Sequence, residues 1–534
     1  MPTPLNGGSQ HSTLVIQPSS SSQVNTLLGA QRWSNDSGTL TLTYSFPWKN
    51  GRAATWDTNN YSSLREPDTG YGLSSQERDA VRAALKAWSA VANINFVEVE
   101  ESSTSVGDLR FAWTKQNNPG AAAWAYEPSS WWTSGGDVWL SNSGMSSYTQ
   151  PSDWLPGGGA FSTLLHEIGH ALGLKHPFED PNRLTTSMDS DQYTVMSYTQ
   201  HPYGVWGSLD APGTYNYHWL SPETPMLLDI AAMQSLYGTN TQASSGNDVY
   251  TITAGTAVLR TLWDAGGQDT LSIASFSRGA YIDLQPGAFS SLPSLDAPPA
   301  WADKATYGKD NLAIAWDTTI ENVVGGSGDD TLLGNSASNR LQGGAGNDTI
   351  DGRAGVDIAV YSTARANYDI QRLDSNRYTV TQRDNGADGK DTLTSVERLQ
   401  FSDQRVAMDV ANGGDAGFTA QLIGAVYGAA NARNPQLVGI GLKLLDSGTT
   451  HEQLVKMALQ DRLGTGYTPD QYISTLYQNL TGQAIRGDQL VAWKARVASG
   501  EFTDVSLTLA ASTMAENNAN IGLVGLIETG IAYT

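Results

Sequence analysis

The sequence predicts a multidomain chain: an α+β domain, then a parallel β-roll, then an all-α C-terminal domain. Three observations predict this order. Strand-like and helix-like hydrophobic patterns are mixed up to about residue 240. A Gly-, Asp- and Asn-rich stretch with an internal nine-residue period follows, to about residue 412. Beyond it the chain becomes Ala-, Leu- and Gln-rich with helical spacing. The length of 534 residues is itself more than one hydrophobic core usually serves. The expected divisions are 1–30, 31–240, 241–412 and 413–534. The first is Ser-, Gln- and Gly-rich and reads as a flexible segment and candidate propeptide.

Within 31–240, residues 39–46 (TLTLTYSF) alternate as a strand does. Residues 75–92 read as an amphipathic helix, with Ser75 as N-cap and Val81, Ala84, Leu85 and Trp88 as its apolar stripe. Residues 94–99, 109–113, 121–126 and 137–140 read as further strands. In 413–534 a weak repeat of 50–53 residues links Tyr427 to Tyr477, QLV at 436 to QLV at 489, and Ser447-Gly448 to Ser499-Gly500. It suggests two related helical units.

Acidic residues outnumber basic ones 53 to 31, for a net charge of −22. That excludes nucleic acid as the main partner, since a phosphate backbone requires a positive surface. It suits a chain that binds cations. Cysteine is absent, so disulfides, thiol catalysis and thiolate metal ligands are excluded. Residues 1–22 lack a basic region followed by an apolar core, so no secretory signal peptide is read there. No run of 18 apolar residues suggests membrane insertion.

The most informative segment is FSTLLHEIGHALGLKHPF, residues 161–178. His166 and His170 are four apart, one turn along the same helix face, where two imidazoles can bind one zinc ion. Gly173 lets the backbone turn and bring His176 back as a third ligand. Glu167 sits beside this centre as general base for water attack on an amide carbonyl, without a covalent intermediate. HExxHxxGxxH is the metzincin pattern. Three of the seven histidines fall within eleven residues. Met196, in Tyr193-Thr-Val-Met-Ser-Tyr198, resembles the metzincin Met-turn beneath the metal.

The nine-residue copies open at Gly325 (GGSGDDTLL), Gly334 (GNSASNRLQ), Gly343 (GGAGNDTID) and Gly352 (GRAGVDIAV). Glycines allow tight turns with exposed carbonyls, an acid supplies a carboxylate, and an apolar residue points inward. The expected calcium ligands are Gly325, Gly326, Gly328 and Asp330; Gly334 and Asn339; Gly343, Gly344, Gly346 and Asp348; and Gly352, Gly355 and Asp357. Leu332, Leu341, Ile350 and Ala359 take the inward position. Asn339 replaces an acid and Arg353 a glycine, so turns one and three should form the better site. Calcium would provide much of the roll's folding free energy.

HEIGHALGLKHP with VMSY resembles the serralysin family, bacterial metzincins joined to a calcium-binding RTX β-roll. The resemblance covers about residues 35–365. It implies a secreted zinc-dependent endopeptidase with one catalytic zinc and several structural calcium ions. It implies Tyr198 as a further zinc ligand that swings away to hydrogen-bond the oxyanion. It implies calcium loops at Asp264, Gly266, Gly267 and Asp269, at Thr319 and Glu321, and less closely at Gly246-Asn-Asp248. An edge strand would pair with the substrate backbone; the candidate is Ala121, Ala123, Trp124, Ala125 and Tyr126. Main-chain pairing implies broad specificity for protein or peptide substrates. Trp131-Trp132 reads equally as cleft wall or as packing. Implied partners are the type I secretion machinery and a proteinaceous inhibitor. The helical extension reads as secretion signal, attachment or self-association module, or plain packing. Alternatives on the same fold are a calcium-dependent surface or adhesion protein and a narrow-specificity processing protease.

Overall fold

The computed structural model describes all residues except 1–10, 35–37, 52–53, 58–60, 212–213, 294–307 and 412. The chain divides into two compact units. One comprises residues 1–271 and 280–320, the other 272–279 and 321–534. The expected boundaries at 240 and 412 therefore do not mark these units: the glycine-rich stretch contributes to both.

The first unit is built on a five-stranded sheet. Its strands are β3 (Leu40–Ser45), β4 (Ile94–Glu98), β5 (Leu109–Thr114), β6 (Ala123–Ala125) and β7 (Val138–Ser141), in the order β4-β3-β5-β7-β6. All neighbours are parallel except β6, which runs antiparallel to β7 along the border. Helix α2 (Ser75–Val91) buries Ala80, Val81, Ala84, Leu85, Trp88 and Val91, a spacing of three and four residues that forms one face. Each large apolar side chain so buried contributes about 1.5–3 kcal/mol. The Trp88 indole N–H donates to the Leu165 carbonyl at 3.2 Å, tying α2 to α3 (Gly159–Ala171). The helix cap is Ser74, not Ser75: Ser74 and Glu77 form a reciprocal capping box. Helix α4 (Leu227–Tyr237) completes this core.

The expectation of a flexible segment over 1–30 fails for residues 11–30; residues 1–10 lie outside the described ones. Strand β1 (Thr13–Val15) pairs antiparallel with β2 (Gln31–Trp33), and α1 (Ser22–Asn25) lies between them. Val24, Leu27 and Leu28 enter the main core. The polar composition concealed three apolar anchors, and burial of those anchors offsets the ordering entropy.

In the second unit, parallel strands stack at an offset of 18 residues, two repeats per coil. Asn322–Val324, Arg340–Gln342 and Ile358–Val360 form one ladder at that offset, and Arg398–Gln400 continues it 40 residues further on. Thr331–Leu333 and Thr349–Asp351 form the other at the same offset, and Lys390–Thr394 continues it with Thr392 opposite Thr349, 43 residues on. Leu332, Leu341, Ile350 and Ala359 are all buried. The extension contains helices α5 (Asp415–Tyr427), α6 (Pro435–Asp446), α7 (His451–Leu463), α8 (Pro469–Thr481), α9 (Gly487–Ala498) and α10 (Asp504–Ser512), then α11 (Ala515–Ile521) and α12 (Leu523–Thr529). QLV opens both α6 and α9, and Ser-Gly follows both, in keeping with the sequence repeat. The extension is not purely helical. Ile531–Tyr533 forms a strand antiparallel to Arg405–Ala407, and buried Arg398 bonds Asp409 at 2.5 Å and Asp446 of α6 at 3.0 Å.

Candidate active site

Helix α3 carries His166 and His170 on one face. Their Nε2 atoms lie 3.1 Å apart. The helix ends at Ala171 with Leu172 as its C-cap, and the next residue, Gly173, has a φ of +103° that suits glycine. A Cβ there would meet the Gln31 carbonyl oxygen at 2.6 Å. The N-terminal segment braces this turn from both sides: Gly29 N–H donates to the Gly173 carbonyl and Lys175 N–H to the Leu27 carbonyl. The turn returns His176, with its Nε2 3.1 Å from that of His170 and 3.3 Å from that of His166.

These spacings test the site for zinc. Tetrahedral zinc–nitrogen bonds of about 2.0–2.1 Å put ligand nitrogens roughly 3.3 Å apart. Each Nδ1 is engaged elsewhere: His166 with the Val195 carbonyl at 2.7 Å, His170 with the Leu174 carbonyl at 2.9 Å, and His176 with Glu179 Oε1 at 2.5 Å. A proton on each Nδ1 leaves three Nε2 lone pairs converging, an arrangement a cation relieves. Burial and neighbouring imidazoles hold His166 well below the ordinary range and His170 at about 4. Both are therefore neutral at pH 7, as metal ligands must be. The residues fit zinc.

Met196 is fully buried, with its sulfur against α3; a Cβ on Gly169 would lie 2.6 Å from it. Buried Asp229 of α4 holds this turn. Its carboxylate accepts from the Thr194 hydroxyl at 2.6 Å, Val195 N–H at 2.7 Å and Met226 N–H at 2.8 Å. Burial pushes its carboxyl up to about 7 against those donors. The Tyr198 hydroxyl lies 2.8 Å from His176 Nε2, and its ring stacks on His166.

Glu167 is buried, and burial pushes its carboxyl up to about 8, opposed by a hydrogen bond from the Ala125 backbone. Among the described residues its Oε2 has no hydrogen-bond partner. It lines a cleft of about 580 Å³ with His166, Tyr198, Ala121 and Ala123. Ala122 C=O and Tyr126 N–H bond to β7, so alternation turns the backbone groups of Ala123 and Ala125 to the open edge. Of the expected edge strand, Ala121 and Tyr126 flank β6, which spans Ala123–Ala125. Trp131 and Trp132 are exposed, at 85% and 62%.

The roll fits calcium through its orphaned oxygens. Among the described residues, Asp348 and Asp357 each keep a buried Oδ2 without a hydrogen-bond partner. A Cβ on Gly343 would lie 2.0 Å from Asp348 Oδ2, so glycine leaves the space around that carboxylate open. The acids form ladders: Asp330 N–H donates to Asp348 Oδ1 and Asp348 N–H to Asp391 Oδ1, while Asn339 N–H donates to Asp357 Oδ1 and Asp357 N–H to Glu397 Oε2. Asp330 Oδ2 accepts from Gly326 N–H. Asn339 is satisfied by Asn335 and the Glu321 carbonyl, and the Gly334 carbonyl accepts from Arg353. In turn two the Asn339 amide and the Gly334 carbonyl are thus engaged by protein groups. In the first unit, carboxylate oxygens of Asp248, Asp264 and Asp269 lie within 4.8 Å of one another. Gly266 N–H bonds Asp264 Oδ1. The Thr318 hydroxyl meets the Asp264 backbone N–H and carbonyl, both at 3.3 Å.

Asp391 and Glu397 were not expected. A hairpin over residues 361–385 breaks the nine-residue period, yet residues 386–394 (GADGKDTLT) and 397–400 (ERLQ) repeat GGAGNDTID and NRLQ. Glu179 and Asp229 carry no such signal.

A matrixin family model matches residues 48–197, and the model for the C-terminal part of M10 serralysin peptidases matches residues 227–413. A serralysin of Photorhabdus laumondii is 31% identical over 364 residues, covering 61% of this chain and 67% of that protein. The chain belongs to the serralysin family. Serralysin C of Dickeya chrysanthemi is 35% identical over 51% of the chain, and a Proteus mirabilis serralysin 32% over 56%. The chain spans 56% and 60% of the length of those two serralysins. Neither family model extends past residue 413 into the helical extension. No helix among the described residues is long and apolar enough to cross a membrane.

Proposed function

We propose that the chain is a secreted zinc-dependent endopeptidase of broad specificity, stabilised by calcium. The observation that carries this is the convergence of three Nε2 atoms within 3.3 Å beside Glu167, whose buried Oε2 has no partner among the described residues. His166, His170 and His176 would hold the zinc, with Tyr198 within reach of the same centre. Zinc, when bound, supplies a Lewis acid that polarises a carbonyl and acidifies water.

The chain's own groups do the rest. A peptide pairs with the open edge of β6, which presents the backbone of Ala123 and the carbonyl of Ala125. Glu167 takes a proton from the attacking water and delivers it to the departing amine, so one O–H and one C–N bond break as C–O and N–H form. The Tyr198 hydroxyl donates to the carbonyl oxygen as negative charge develops there. Asp348, Asp357, Asp391, Glu397 and the Asp248, Asp264, Asp269 group hold calcium. Calcium sites of extracellular type bind at about 10⁻⁴–10⁻³ M and remain empty in cytosol. That supports export of an unfolded chain through a type I machinery, with folding outside.

The test is Glu167→Gln. Casein cleavage should fall by at least about a thousandfold while metal analysis still finds one zinc per chain and melting is unchanged. A variant that stays zinc-loaded and fully active would refute the mechanism.

A further inference from the structure

Glu66 is a fully buried acid, 0% exposed, in a short 3-10 turn (Glu66–Thr69). Its Oε1 accepts from the Trp124 indole N–H at 2.9 Å and from the Tyr126 hydroxyl at 2.5 Å. Its Oε2 accepts from the Ser62 hydroxyl, and its backbone carbonyl from Thr114 of β5 at 3.1 Å. Trp124 and Tyr126 flank Ala125, the residue whose backbone bonds Glu167. One carboxylate oxygen therefore grips the strand on both sides of the position nearest the candidate base.

Two further facts give this weight. β6 is three residues long and pairs on one side only, with β7, so its ladder alone holds it weakly. Trp124 and Tyr126 lie against an aromatic layer of Trp56, Tyr61 and Trp139, where a buried acid is costlier than an apolar group of the same volume. Burial, then Glu66, raise the pKa of the Tyr126 phenol, so it remains a donor across the working pH range.

We propose that Glu66 is a positioning residue: through Trp124 and Tyr126 it fixes the open edge of β6 relative to Glu167, and so the register of an extended peptide on that edge. This rests on the endopeptidase reading above. A peptide that pairs along β6 depends on the strand's placement. A short acylated dipeptide amide that reaches only the histidine centre does not.

The experiment uses the full chain loaded with zinc and calcium. kcat/KM is measured on an eight-residue peptide and on the short amide for wild type, Glu66→Leu, Glu66→Gln and the double variant Trp124→Phe/Tyr126→Phe. Glu66→Leu should lower kcat/KM on the long peptide by roughly ten- to a hundredfold, the scale of a misplacement of about 1 Å, and change the short amide less than about threefold. Glu66→Gln keeps an acceptor oxygen and should recover most of the loss. If Glu66→Leu does not fold, the double variant removes the same two bonds from the other side and should reproduce the selective loss. Equal loss on both substrates, or no loss on either, overturns the role. Wild type that cleaves neither substrate overturns the endopeptidase reading itself, and the role with it.

Discussion

Replacing Asp229 by alanine should weaken the histidine centre from a distance. Asp229 touches none of the histidines; it holds Val195, whose carbonyl engages His166 Nδ1 at 2.7 Å. The substitution strips three donors of their acceptor. The Thr194 hydroxyl can rotate. The Val195 and Met226 N–H groups cannot, and a buried unsatisfied donor costs about 1–3 kcal/mol. Two of them give a loss of roughly 4 kcal/mol, a fall in Tm on the order of 10 °C. The second consequence is specific. With the Met196 turn loosened, the partner that fixes the orientation of His166 is lost, and zinc affinity should drop about 10–100-fold. Calorimetric melting of the zinc-free chain reads the first effect and chelator competition the second. A variant with lowered Tm but wild-type zinc affinity would refute this, leaving Asp229 a structural cap of α4 with no hold on the metal ligands.

Two further outcomes follow from the same geometry. Leu27 is fully buried beside the turn that returns His176; Leu27→Ala should cost about 2–5 kcal/mol, and deletion of residues 11–30 should lower Tm rather than release activity, as differential scanning calorimetry and a casein assay would show. Burial holds the carboxyl of Asp348 at about 7 and those of Asp357 and Asp391 at about 8 in the metal-free chain. Carboxyls raised on folding bind their protons more tightly in the folded state, so this contribution is complete below about pH 4 and is lost as pH rises through 7–8. The metal-free Tm of the roll should therefore fall from pH 6 to 8.5. Calcium, which requires carboxylates, should raise Tm more at pH 8.5 than at pH 6; a calcium increment independent of pH would contradict the assignment.

What could be read from the residues was what depends on near neighbours in the chain. His166 and His170 share a helix face because a helix repeats every 3.6 residues, and Gly173 marks the turn to His176 because few other residues tolerate its backbone angle. The four nine-residue copies specify a roll because each encodes the same turn and the same inward side chain. Where a hairpin separated the next turn from its predecessors, Asp391 and Glu397 went unread although their local pattern persists. The N-terminal segment was misread because composition averages over Leu27 and Leu28, whereas folding depends on where they land. Glu66, Glu179 and Asp229 belong to neither class. Each is a single acid in an unremarkable stretch, and its importance comes from donors brought beside it by the fold: Trp124 and Tyr126, 58 and 60 residues away from Glu66; His176 for Glu179; and the Met196 turn for Asp229. The chain's local periodicities specify which groups can bind metal. Their support is set by long-range packing, because a buried carboxylate is tolerated only where distant segments deliver the hydrogen bonds that satisfy it.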